Sequence, residues 1–246
     1  MALRTETKTC ALLILWIFFA GALWAQSGPY EVRHRHLHNG RPGLLHIDSQ
    51  SISFEERGTT KHSLSWQFDD IRQLVLGTDT LRVVSYEDNR WLLGRDRIYV
   101  FDRLPAALVA DWYPIFRQRL DQRFVAALAD DRMQTEWQIP AKSIQGRGGS
   151  RLGSRLDSQG IVLVGPDGVI YKCGRPGQSR TWRITDLINV SSSDAFDLTI
   201  TTRERDFRFQ LKHSLPEARY NELWRRINLA NGLEVLRLGS QKEARQ

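Results

Sequence analysis

Trp66-Gln67-Phe68-Asp69-Asp70-Ile71 recurs 116 residues further along (182 − 66) as Trp182-Arg183-Ile184-Thr185-Asp186-Leu187. Each stretch is a tryptophan, an apolar residue two places on, and an Asp followed by a branched aliphatic. Two more matches keep the same order. Ile47-Asp48-Ser49-Gln50, with Ile52 and Phe54, answers to Leu156-Asp157-Ser158-Gln159, with Ile161 and Leu163, at an offset of 109 (157 − 48). Leu104-Pro105-Ala106-Ala107 answers to Leu215-Pro216-Glu217-Ala218 at 111 (216 − 105). Ordered matches at near-constant spacing are the mark of an internal repeat, here of two copies.

Periodicity within each copy predicts strands followed by one helix. Leu81–Tyr86, Ile98–Phe101, Val169–Cys173, Phe196–Thr201 and Phe207–Leu211 are short runs rich in β-branched and aromatic residues, bounded by turn residues,. Gly165-Pro166-Asp167-Gly168 predicts a turn, with Pro presetting φ and Gly free to take positive φ,. The period then changes to 3.6. Leu108, Trp112, Phe116, Leu120, Phe124 and Leu128 fall on one helical face in the first copy, and Leu223, Trp224, Ile227 and Ala230 on one in the second,. Pro105 and Pro216 mark the two helix starts, and Pro114 predicts a kink in the first helix unless a new one begins near Asp111,. The fold class expected is α+β, mainly β.

A Trp-containing strand with an Asp-Ile/Leu step, and a final amphipathic helix after antiparallel strands, resembles the pleckstrin-homology-like (PH-like) superfold in its bacterial and GRAM-type branches. The resemblance implies two modules, each a bent antiparallel sheet or small barrel capped by its C-terminal helix. The organisation expected is a signal peptide over 1–25, module 1 over 28–130, a linker over 131–138, module 2 over 139–231 and a polar tail over 232–246. Such a fold implies binding or scaffolding more often than chemistry, and puts anionic contacts on basic loop residues. Those are Arg33, Arg35 and Arg41 in the first copy and Arg147, Arg151 and Arg155 in the second.

Arg4 and Lys8 precede the apolar run Cys10–Ala25, which ends in small residues. A run of that length is short of the roughly twenty residues a spanning helix needs, and reads as an export signal, with a retained N-terminal membrane anchor as the alternative. A periplasmic or secreted protein is expected. Without residues 1–25 the chain keeps one cysteine, Cys173, which excludes an intramolecular disulfide and reads as a small buried hydrophobe,.

The 246 residues carry a formal net charge of +7, with 41% hydrophobic and 10% aromatic side chains. That aromatic content excludes a disordered chain. The positive balance favours anionic partners: an anionic membrane surface or an envelope polymer, beside an unknown protein or peptide. Charges of both signs alternate along the chain and no basic–aromatic stripe occurs, so nucleic acid is not expected as a partner,.

Arg33-His34-Arg35-His36-Leu37-His38 is the sharpest local constellation. On a strand His34, His36 and His38 share a face, with His46 across the hairpin as a fourth candidate ligand, and neutral imidazoles of this kind hold Zn or Cu. The second copy lacks these histidines, so a solvated edge strand is the competing reading and no cofactor is expected. Gly146-Arg147-Gly148-Gly149-Ser150-Arg151 has no strand–loop–Lys-Ser/Thr context and reads as a connection, not a phosphate cradle,. No nucleophile elbow, zinc-protease motif or paired-cysteine motif is present,. The adjacent carboxylate pairs Glu55/Glu56, Asp69/Asp70 and Asp130/Asp131 would face apart on a strand,. A non-enzymatic binding or scaffold protein is the function expected, with a metal-binding protein built on the histidines as the alternative and a hydrolase with an unrecognised site as the poorer one.

Overall fold

The computed structural model describes residues 29–35, 40–58, 63–89, 92–144 and 157–232. Strands β1 (Tyr30–His34), β2 (Arg41–Ile47), β3 (Ser51–Glu56), β4 (Leu64–Gln67), β5 (Ile71–Gly77), β6 (Thr80–Asn89) and β7 (Leu92–Asp102) precede helix α1 (Ala106–Arg119). Strand β8 (Phe124–Ala127) follows it. The rest comprises β9 (Trp137–Ile144), β10 (Ser158–Val164), β11 (Gly168–Cys173), β12 (Arg180–Arg183), β13 (Leu187–Ser191), β14 (Asp197–Thr202), β15 (Asp206–Leu211) and helix α2 (Glu217–Ala230). β9 opens inside the stretch read as a linker.

All fifteen strands join one sheet, in the order β13-β14-β15-β9-β10-β11-β12-β8-β5-β6-β7-β1-β2-β3-β4. Read from β4 inward, the first half runs 4-3-2-1-7-6-5. The second, read outward from β12, runs 12-11-10-9-15-14-13, the same order shifted by eight elements. Strand alternation explains the inner faces: β14 and β15 bury every second residue, Leu198, Ile200 and Thr202 on one and Phe207, Phe209 and Leu211 on the other,. Two apolar clusters result, one spanning Tyr30–Leu128 and one Trp137–Ile227.

The two clusters share a ring arrangement. Trp66 lies 4.6 Å from Tyr99 and 6.2 Å from Phe101, and Phe54 lies 5.2 Å from Phe101. In the second, Trp182 lies 4.8 Å from Phe207 and 6.4 Å from Phe209, and Tyr171 4.9 Å from Phe209. Both Trp-x-Phe/Ile-x-Asp stretches end a strand and turn through one 3₁₀ turn, Phe68–Asp70 or Ile184–Asp186, into the next strand. The tryptophans and Asp-Ile/Leu steps thus serve the framework. The Asp48/Asp157 match does not superpose element on element. Asp48 closes the β2–β3 turn, accepting from the Gln50 and Ser51 amides at 2.7 Å, whereas Asp157 precedes β10. The turn equivalent to Asp48–Gln50 is Gly165–Asp167: Phe68 N donates to Gln50 O and Ile184 N to Asp167 O.

Three further expectations change. Helix α1 ends at Arg119, so Phe124 and Leu128 are not on it. Asp121 takes a positive φ of 39°, which Asp tolerates better than most residues, and swings the chain into β8, parallel to β5 from Leu74↔Phe124 to Gly77↔Ala127,. A four-residue run buried on both faces, Phe-Val-Ala-Ala, satisfies helical and strand periods alike, and the open edge of β5 decided it,. Pro114 sits inside a continuous α1, flanked by buried Trp112, Tyr113 and Phe116. On α2 only Leu223 and Ile227 are buried; Trp224 and Ala230 face solvent, and Tyr220 completes the apolar face. Gly165 and Gly168 serve close approach, since a Cβ would stand 1.9 Å from Gln134 O and 2.1 Å from Trp182 O,.

Strand β8 also pairs with β12, at Ala126↔Thr181, and so joins the halves. The Thr181 hydroxyl donates to Leu128 O at 2.9 Å and accepts from Asp130 N at 3.0 Å, and Gln122 donates to Thr185 O at 2.8 Å.

Candidate functional site

The outer face of the sheet beside this joint carries a cleft of about 620 Å³. Its floor follows from strand alternation: Leu81 and Val83 of β6 point into the core, so Arg82 between them points out,. Arg72, Asp96, Arg123, Arg203 and Glu204 complete the charged lining, with Arg72 paired to Asp96, and Tyr86 and Ile98 are its exposed apolar part, at 60% and 56% exposure. The second half contributes the β14–β15 turn. There Thr202 Oγ1 accepts from the amides of Glu204 and Arg205 and donates to Arg205 O, which fixes the tip facing the first half.

Behind Glu204 lies Arg180, on β12 and only 8% exposed. One guanidinium nitrogen donates to Gly177 O at 2.8 Å and Ser179 O at 2.9 Å, and Nε faces Glu204 at 3.5 Å. Arg180 and Arg205 both lie against the Phe207 ring, at 5.8 and 4.6 Å from its centroid,. Arg205 keeps an exposed edge, yet enough of it is shielded by protein to lower its pKa; Glu204 opposes that shift, and Arg180 and Arg82 add to it. Arg180 and Arg205 thus flank the Phe207 ring and are not part of the cleft's lining. Arg82 Nε, shut off from solvent, makes no hydrogen bond among the described residues. The cleft's described lining sets four guanidiniums, those of Arg72, Arg82, Arg123 and Arg203, against the two carboxylates of Asp96 and Glu204, and an excess of positive charge of this kind attracts anions. The arrangement can neutralise and hold an anion,.

The basic residues expected from the sequence stand elsewhere. Arg33 grips Asp102 with two bonds of 2.8 Å and Arg35 adds a third at 3.1 Å, so both are committed to a 5%-exposed carboxylate. Arg41 pairs with Glu56 at 3.0 Å, and it begins β2 instead of lying in a loop. Arg147, Arg151 and Arg155 lie outside the described residues, as do His36 and His38.

Of the histidines, His34 is on the core side of β1, 5.2 Å from Phe101 and 5.6 Å from Phe54. His46 is on the opposite face of the sheet, between buried Leu45 and Ile47 and 4.0 Å from Glu55. Register separates them further: His34 pairs with Arg41, five places from His46, or roughly 16 Å along the strand,. His46 is therefore corrected as a partner ligand for His34. Among the described residues no group of three His, Cys, Asp or Glu side chains is placed to hold a metal ion. Cys173 is half-buried against the second cluster, with Sγ 3.8 Å from Ser179 Oγ.

Sequence reasoning missed Arg82, Arg180, Arg203 and Arg205. A signal existed for two of them, since Thr202-Arg203-Glu204-Arg205 is a charged turn between two strong strands; the convergence with Arg82 depends on the joint and has no local trace.

No protein-family model matches the chain, and no curated protein matches it. Solved structures are similar in part, among them three. The C-terminal domain of an unknown protein from Leishmania infantum shares 11% identity at a TM-score of 0.27, covering 36% of this chain and 84% of that one. The N-terminal PH domain of human ARAP2 shares 16% at 0.30, covering 50% and 90%. The Spt16D Pob3N heterodimer structure shares 8% at 0.33, covering 76% of this chain and 96% of that one.

Proposed function

We propose that this chain is an exported, non-enzymatic binding protein of the cell envelope, made of two PH-like modules, and that it holds an anionic ligand in the arginine cleft where they join. The repeated strand order and the repeated Trp-centred ring packing support the two-module reading. One observation carries the ligand: four arginines, Arg72, Arg82, Arg123 and Arg203, face two carboxylates, Asp96 and Glu204, in the described lining of one cleft open to solvent. A folded chain keeps such an imbalance at a cost in stability, and an anion offsets it.

The test is retention of the full chain on phosphocellulose, read as the salt concentration needed for elution. Arg82→Gln with Arg203→Gln is compared with Arg208→Gln with Arg225→Gln, which removes the same charge from exposed sites on β15 and α2. The cleft pair lowers the eluting salt well beyond the control pair. Equal shifts for the two pairs would mean that net charge alone is at work, and the proposal would fall.

A further inference from the structure

We infer that the cleft takes a single-chain amphipathic anion, of which an alkyl carboxylate is the simplest, with its charged head on Arg82 and Arg203 and its apolar body laid along β6. The inference rests on the anionic-ligand reading above and adds what the rest of the ligand must be. Pairing sets the charged end. Arg72 is taken up by Asp96, and Arg123 by Asp121 and Phe68 O, while Glu204 faces Arg180 at 3.5 Å. Arg82 and Arg203, one from each half, have no ion pair among the described residues. Two guanidiniums left without carboxylates in one cleft hold an oxyanion head through charge-assisted bonds.

Exposure sets the apolar end. Tyr86 and Ile98 are the two most exposed large apolar side chains among the described residues, and both line this cleft. Strand alternation puts Arg82, Val84 and Tyr86 on the outer face of β6, and Ile98 of β7 lies directly across from Val84,. The three apolar side chains therefore form one strip, which starts beside Arg82 and ends at Tyr86, four residues (86 − 82) or roughly 13 Å along the strand,. An inorganic anion would fill the arginine end and leave this strip in water, whereas an aliphatic chain of that length covers it. Concavity selects one molecule over an extended surface: a cleft of about 620 Å³ is of the size that encloses small ligands, and the flat face of a bilayer does not enter it,.

The test is calorimetric titration of the full chain at low salt with acetate, butyrate, octanoate and octyltrimethylammonium, the last carrying the same chain on a cation. Affinity is expected to rise from acetate through butyrate to octanoate, by about tenfold or more in all, and the cation is expected to bind at least about tenfold more weakly than octanoate. This series needs no variant, so it stands whatever a substitution does to folding. Tyr86→Thr with Ile98→Thr, both outward on their strands, is expected to bring octanoate down to the affinity of acetate with the urea midpoint close to that of the wild type. Arg82→Gln is expected to weaken octanoate about tenfold, as loss of one charge-assisted contact does. Equal affinity for acetate and octanoate, or octanoate affinity unchanged in the Tyr86 and Ile98 variant, overturns the amphipathic ligand and leaves an anion in the cleft. Octyltrimethylammonium binding as tightly as octanoate overturns both readings, as does no binding by any of the four.

Discussion

The Arg183 guanidinium reaches across the joint and donates to the Asp121 backbone carbonyl, at the residue whose positive φ turns the chain from α1 into β8. A second nitrogen donates to Arg117 O, one of the carbonyls that a helix C-terminus leaves without a partner,. Asp186 holds the guanidinium from below, at 2.6 and 3.0 Å. One side chain at the end of β12 thus closes the end of the first half's helix.

Arg183→Gln places at this position the residue found at its equivalent in the first copy, Gln67. Glutamine is too short to reach both carbonyls and cannot pair with Asp186. With charge-assisted bonds near 1.5–3 kcal/mol, a loss of about 2–3 kcal/mol is expected in urea unfolding, with the transition broadening as the halves uncouple. An unchanged midpoint and slope would show that the staple carries no stability.

Asp102 governs the acid side of the stability curve. Hydrogen bonds from Arg33, ahead of those from Arg35, hold its pKa below the ordinary carboxylate value against the opposing effect of burial. A depressed folded pKa gives stability that is present above the unfolded value, near 4, and lost as pH falls through the folded value. Asp102→Asn is expected to lower the urea midpoint at pH 7 and to flatten its fall below pH 4. If the acid limb keeps its wild-type slope, another carboxylate is responsible.

The two tryptophans test whether the cores are independent. Trp66 and Trp182 are 3% and 4% exposed and sit in separate apolar clusters. Each Trp→Ala change is expected to cost about 3–5 kcal/mol, and side chains without shared partners contribute additively. Trp66→Ala should therefore unfold the first cluster's signals at lower denaturant than the second's, and Trp182→Ala the reverse. Hydrogen exchange resolved by peptide separates the two cases, and uniform loss of protection in both variants would argue for one indivisible core.

Tyr113 offers a change in the other direction. Its hydroxyl is buried and, among the described residues, makes no hydrogen bond of good geometry, with Asp130 and Arg117 nearby as its polar neighbours; burial, with Asp130's charge adding, pushes its pKa up to about 12. A raised folded pKa means that stability is full below the unfolded value near 10 and declines as pH rises from there towards 12. Tyr113→Phe is expected to be neutral or stabilising by up to about 1 kcal/mol at pH 7, and to lose less stability between pH 10 and 12. Destabilisation by more than about 1 kcal/mol at neutral pH would show that the hydroxyl is satisfied in solution.

Strands read well from the sequence because each half buries one face of its sheet, which writes a period of two into residues such as Phe207, Phe209 and Leu211. β8 did not, because Phe124–Ala127 is buried on both sides and carries no period. The Trp-x-Phe/Ile-x-Asp pair was legible since it makes the same turn twice, while Asp48 and Asp157 looked alike yet serve one turn and one strand start. The arginines of the cleft were the least legible. Arg82 and Arg203 are 121 positions apart (203 − 82), and the joint between the halves brings both to one cleft.

That double pairing has a consequence for dissecting the molecule. β8 lends one side to β5 and the other to β12, so a cut after residue 130 strips β12 of its neighbour and leaves β8 with an unpaired flank. A cut before residue 124 exposes β5 instead. Either fragment presents a bare, apolar strand margin of the kind that recruits foreign strands, and Val75, Val125 and Ala127, which pack on one another here, would be laid open with it,. The halves look alike, but they are not interchangeable beads; the short strand between them makes each the other's protection against misassembly.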